Sequence, residues 1–180
     1  MKTIKEKISD DQKSLQSKLG VKNIMAMPKI SKVVISVGTG KNKDKKHNDL
    51  VADRLAKITG QKPSFRGAKK SIASFKLREG DIIGLSVTLR GIRMYGFLDK
   101  FINVAVPRMR DFRGFPLSAI DDMGNLTVGI KEHTIFPETA DEDLKDVFGL
   151  SVTIVTTAQT KDEARALLEV INFPFKVAKK

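Results

Sequence analysis

"IIGLSVTLR", residues 82–90, decides how this chain is read. Ile83, Leu85, Val87 and Leu89 are apolar, while Gly84, Ser86, Thr88 and Arg90 between them are small, hydroxylated or charged. Side chains alternate across a strand, so the stretch predicts one buried face and one polar face. "ISKVVISVG" (30–38) repeats the pattern, with Val33, Ile35 and Val37 on one side and Lys32 and Ser36 on the other. Residues 125–130, through Leu126, Val128 and Ile130, and residues 151–157, through Val152, Ile154 and Thr156, give two more strands.

Between these segments the apolar spacing changes to that of a helix. Residues 2–19 carry Ile4, Ile8, Leu15 and Leu19 and stop at Gly20; residues 46–58 carry Leu50, Val51, Leu55 and Ile58 and stop at Gly60. Tyr95, Leu98, Phe101 and Ile102 predict a helix over 92–105, ended by Pro107. Ala164, Leu167, Leu168 and Ile171 predict another over 161–172, with Asp162 and Glu163 in the first turn, where the helix dipole favours acids. "ETADEDLKD" (138–146) reads as a short helix. One-faced strands mixed with helices predict an α+β domain: an antiparallel sheet with helices packed on one face and an open polar face. A single domain is expected over 1–180, with an N-terminal helix (1–19), a basic loop extension (66–80) and a frayed tail (176–180).

The charge is strongly asymmetric. The formal net charge is +12, and residues 1–90 hold 21 Lys and Arg against eight acids while residues 91–180 hold 12 against 13. A surplus gathered in one half of the chain points to a polyanionic partner, nucleic acid before membrane. With no cysteine, disulfides and thiolate metal sites are excluded. No apolar run approaches the roughly 18 residues of a membrane span and no signal-type core opens the chain, so a cytoplasmic protein is expected.

"RGAKKSIASFKLREG" (66–80) concentrates this charge: Arg66, Lys69, Lys70, Lys76 and Arg78 face one acid, Glu79, and Ile72, Phe75 and Leu77 are spaced among them. Catalytic motifs are absent by comparison. "GTGK" (38–41) has Ile35 and Asn42 where a phosphate loop needs glycine and Ser or Thr, so it reads as a strand-exit turn. His47 and His133, the two histidines, lack zinc-ligand spacing and read as surface or loop residues. Asp121 and Asp122 suit a turn, and Asp141, Glu142 and Asp143 a helix start. "RGFP" (113–116) begins like an aromatic RNA-binding signature and fails at Pro116. With one Tyr, no Trp and phenylalanines in core-like positions, contact with RNA shape, 2′-hydroxyls and phosphates is expected rather than base stacking. No enzyme, cofactor, metal site or small-molecule substrate is expected.

Seven stretches, in order, carry a resemblance over about residues 20–176: "TGQKP" (59–63), "KKSIASFKLREG" (69–80), "VTLRG" (87–91), "VPRMRDFRG" (106–114), "IFPE" (135–138), "TTA" (156–158) and "FPF" (173–175). Together they resemble the bacterial-type large-subunit ribosomal protein five family. The resemblance implies a structural protein of the ribosomal central protuberance that binds 5S rRNA and attaches it to the large-subunit rRNA. It implies rRNA contacts at Lys32, Ser36, Gln61, Thr88 and Arg90. Ser36 stands where bacterial relatives usually carry asparagine, and it lacks that amide's two donors. The resemblance also implies that the basic loop reaches P-site tRNA through Arg66, Lys69, Lys70, Lys76 and Arg78, with Ile72, Phe75 and Leu77 pinning the loop to the body. It further implies an intersubunit bridge to small-subunit ribosomal protein thirteen, expected on the acidic surface at Asp141, Glu142 and Asp143. Two other classes remain: an RNA-processing or RNA-modifying enzyme, which needs a metal or cofactor site, and a non-specific duplex-RNA binder, which predicts equal affinity for any RNA helix.

Overall fold

A computed structural model of the chain describes residues 3–21, 23–40, 44–110, 112–139 and 147–176. Among these residues the elements run, in order, α1 (Ile4–Asp10), α2 (Gln12–Leu19), β1 (Ile30–Gly38), α3 (Lys45–Thr59), β2 (Ser64–Gly67), β3 (Ile82–Leu89), α4 (Gly91–Lys100), β4 (Leu126–Ile130), β5 (Leu150–Thr156) and α5 (Lys161–Val170). The strands form one antiparallel sheet in the order β2-β3-β1-β5-β4, and the fold is α+β as expected. β2 is a strand that the sequence pattern did not predict.

The chain divides into two compact units. The first comprises Met1–Val33, Leu89–Val128 and Thr153–Lys180. Here the expected single N-terminal helix is two, broken at Asp11, whose backbone leaves helical geometry at φ −87°, ψ 8°. Asp competes with the backbone for hydrogen bonds and favours caps over helix interiors, and Asp10 and Asp11 stand together at the break. Thr3 and Glu6 cap α1 reciprocally, and the Ile4 N–H donates to Asp99 Oδ1 of α4 at 2.9 Å. α4 is also shorter than its apolar spacing predicts. It gives way at Phe101–Ala105 to a wider turn and then to a tight turn over Val106–Arg108, at Pro107, which has no N–H to give. Leu167, Leu168 and Ile171 on and after α5 are fully buried. Each such burial contributes about 1.5–3 kcal/mol.

The basic segment 108–116 closes on the C-terminal "FPF" in the same unit. The Phe115 N–H donates to Pro174 O at 2.9 Å and the Lys176 N–H to Phe115 O at 2.8 Å. Ring centroids of Phe115 and Phe173 are 5.4 Å apart, and those of Phe112 and Phe115 are 5.0 Å apart. Gly114 has φ +90°, and a Cβ there would stand 2.6 Å from Lys176 N, so only glycine fits. Two of the sequence stretches that carry the resemblance therefore form one structural joint.

The second unit comprises Val34–Thr88 and Gly129–Val152. α3 buries Val51, Leu55 and Ile58, as its spacing predicts, leaves Leu50 of the same stripe half-buried, and also buries Arg54 and Asn48. His133, expected as a surface or loop residue, lies in the tight turn His133–Ile135 after β4 but is not on the surface, being 1% exposed. Its ring stacks on Phe148 with centroids 4.2 Å apart, and the Arg54 guanidinium lies 3.3 Å from its Nε2. The Phe148 N–H points at Nδ1 from 3.3 Å. A histidine with stacked ring and occupied nitrogens is part of the packing.

Candidate nucleic-acid interface

On β3 the alternation holds only in part: Gly84 and Ser86, expected on the open face, are buried, and Ile83, expected on the buried face, is half-exposed. Leu85, Val87 and Leu89 are buried, Thr88 is half-buried and Arg90 is exposed. On β1, Val33, Ile35 and Val37 are buried, while Lys32 and Ser36 on the alternate positions are half-buried. Ser36, Gln61 and Thr88 belong to the second unit; Lys32 and Arg90 belong to the first.

In the second unit, Thr59 ends α3, and its hydroxyl accepts from the Gln61 N–H at 3.3 Å and donates to Leu55 O at 2.7 Å. Gly60 adopts φ +66°, turning the chain sharply after the helix. That turn carries Gln61 to β3, where its Nε2 donates to Thr88 O at 3.4 Å. Helix end, left-handed glycine and strand thus bring together two residues 27 positions apart. Ser86, expected on the open face, is 9% exposed. The Arg66 Nε donates to Ser86 Oγ at 2.7 Å.

β2 pairs antiparallel with β3, Ser64 opposite Ser86 and Arg66 opposite Gly84, and the register shifts between Arg66 and Gly67. The basic stretch therefore begins as sheet, and the extension proper follows Gly67. It is a narrow antiparallel arm: the Ala68 N–H donates to Asp81 O at 2.8 Å, and Ile72 and Leu77 exchange backbone bonds of 3.0 and 3.1 Å. A tight turn over Ala73–Phe75 ends at Lys76, which has φ +49°. The acids and hydroxyls of the arm hold backbone: the Arg78 N–H donates to Asp81 Oδ2 at 3.0 Å and the Glu79 N–H to Ser71 Oγ at 2.9 Å. Lys69, Lys70, Lys76 and Arg78 are exposed.

Of the three apolar residues expected to pin the arm to the body, Phe75 and Ile72 are exposed and only Leu77 is half-buried. Phe75 is 73% exposed and Ile72 44%. The backbone pairing, not side-chain burial, fixes the arm's shape. Asp141, Glu142 and Asp143 lie outside the described residues. Among the described residues no group of three His, Asp or Glu side chains is placed to hold a metal ion. No helix is long and apolar enough to cross a membrane among those residues.

Family models match along most of the chain: one described as ribosomal protein L5 over residues 23–78, and one described as the C-terminus of the same ribosomal family over residues 82–175. The chain belongs to the ribosomal protein L5 family. Among its relatives, the large ribosomal subunit protein uL5 of Heliobacterium modesticaldum is 47% identical over 178 residues, covering 98% of this chain and 99% of that one. The protein of the same name from Mesoplasma florum is 51% identical over 162 residues, 89% of this chain and 90% of that one. That of Nitrosomonas europaea is 48% identical over 165 residues, 91% and 92% of the two chains. The L5 family is a structural, non-enzymatic one, and RNA binding and a part in translation follow from membership.

The L5 stretches quoted from the sequence fall at structural joints. "TGQKP" is the turn from α3 to β2 that sets Gln61 against Thr88. The pattern missed the bond from Arg66 to Ser86, because β2 is exposed at all four positions and has no apolar alternation to read. It also missed the buried pair of Arg54 and His133. The signal for Arg54 was present as position, between Val51 and Leu55 on the buried stripe, but contradicted by residue type.

Proposed function

We propose that the chain is a constituent of the large ribosomal subunit that binds 5S rRNA and attaches it to the large-subunit rRNA in the central protuberance. Its place is then on the ribosome in the cytoplasm. Lys32, Ser36, Gln61, Thr88 and Arg90 are the proposed rRNA contacts, through 2′-hydroxyls and phosphates. The observation that carries the reading is the Gln61–Thr88 hydrogen bond, which holds the Gln61 amide beside Thr88, a half-buried residue of β3. A hydroxyl and an amide held on rigid backbone suit RNA recognition by shape.

Lys69, Lys70, Lys76 and Arg78 on the extension are the proposed contacts to the P-site tRNA backbone. Four exposed cations on a narrow arm suit phosphate contacts, which orient a partner without reading its sequence. The acidic segment at Asp141, Glu142 and Asp143 is proposed to meet small-subunit ribosomal protein thirteen. Depleting the protein from growing cells tests the first reading. Large subunits lacking 5S rRNA support it, and subunits that retain full 5S rRNA without the protein reject it.

A further inference from the structure

We propose that Arg66 is an rRNA phosphate clamp of the sheet, with Ser86 as its positioning residue, and not a member of the tRNA-reaching arm. The inference rests on the proposed function. Arg66 lies within β2, before the register shift at its last residue, directly opposite Gly84. In an antiparallel pair, residues directly opposite share a face, so Arg66 stands on the same side of the sheet as Ser64, Ser86 and Thr88.

The side chain is fixed there. Its Nε donates to Ser86 Oγ at 2.7 Å, and Ser86 is 9% exposed, so the serine cannot swing away into water without uncovering itself. Guanidinium is a planar fork of five N–H donors. One is spent on Ser86, and the four on the two Nη atoms remain, in the geometry that matches two phosphate oxygens. Among the described residues no carboxylate neutralises Arg66. Gly84 opposite it adds no side chain to compete for the space. A cation held in one orientation, unneutralised, on a hydroxyl-bearing strand face, takes an RNA phosphodiester lying along β3.

The test measures binding of purified protein to 5S rRNA across a salt series, for wild type, R66Q, R66K, S86A and S86T, with folding checked by circular dichroism. R66Q is expected to weaken binding about tenfold. It should also make the log–log salt slope shallower by roughly 0.7 to 0.9, the release of one phosphate contact. R66K and S86A keep the charge and lose the clamp, so affinity falls while the slope stays; S86T restores affinity. Retention of P-site tRNA by ribosomes carrying R66Q should match wild type. Wild-type affinity and slope in folded R66Q overturns the clamp, as does a defect confined to tRNA retention. If R66Q fails to fold, an unchanged affinity in S86A overturns the positioning role. A wild-type protein that does not prefer 5S rRNA to an unrelated RNA rejects the proposed function itself, whatever Arg66 does.

Discussion

Gly84 lies against the carbonyl of Val37 so closely that a Cβ on it would stand 2.7 Å from that oxygen. The obstacle is backbone, which cannot rotate aside as a side chain tip can. G84A should therefore destabilise the protein by about 1–3 kcal/mol, the usual cost of overpacking. Urea unfolding measures it, with wild-type stability in G84A contradicting the close approach.

Phe75 is 73% exposed at the tip of the arm. F75S should accordingly leave global stability within about 0.5 kcal/mol of wild type. Thermal unfolding distinguishes this from a pinned loop, for which loss of a buried phenylalanine would cost several times more.

Neutralising the arm separates its role from that of the sheet. A variant with Lys69, Lys70, Lys76 and Arg78 all changed to glutamine should fold normally and bind 5S rRNA with its sheet contacts intact, while ribosomes carrying it release P-site tRNA faster. Filter-binding dissociation rates read this directly, and an unchanged rate would remove the arm from the tRNA.

H133A opens a cavity against Phe148 and withdraws the ring from Arg54, both buried. Roughly 2–4 kcal/mol of stability should be lost. Since the ring is packing rather than a ligand, added zinc should leave the wild-type melting temperature unmoved.

Asp121 holds the turn into β4. The Asn125 backbone N–H donates to its carboxylate at 2.7 Å and keeps its pKa below the ordinary 3.8, with help from the Asn125 amide, the Met123 N–H and Lys161. A depressed pKa means that the ionised form favours the fold: the contribution is present above pH 3.8 and is lost as pH falls through the lower folded midpoint. Carboxyl NMR titration should place the Asp121 midpoint below 3.8, and a midpoint at or above it would contradict the turn geometry.

What the sequence shows and what it hides divides along physical lines. β1 and β3 were legible because buried Val33, Ile35 and Val37, or Leu85, Val87 and Leu89, recur at every second position, although β3 also buries Gly84 and Ser86 on its other face. β2 was not, because all of Ser64–Gly67 is exposed and the strand exists through pairing alone. The same blindness hid the Arg66–Ser86 bond, which depends on register between strands twenty residues apart. Gly84 was a readable clue, since glycine inside a strand often marks close backbone approach. His133 offered none: a single histidine carries no periodicity, and its burial follows from Phe148, Arg54 and Thr139 around it. The end of α4 was misjudged because Phe101, Ile102 and Ala105 are buried as in a helix while the backbone around them widens.

The most direct test of the central claim is binding of the purified protein to 5S rRNA and to an unrelated structured RNA of equal length, across a salt series. Recognition by the sheet face predicts a preference for 5S rRNA that persists at high salt and weakens in T88A and Q61A. Equal, steeply salt-dependent binding to both RNAs, unchanged by either substitution, would show that charge alone is at work and would contradict it.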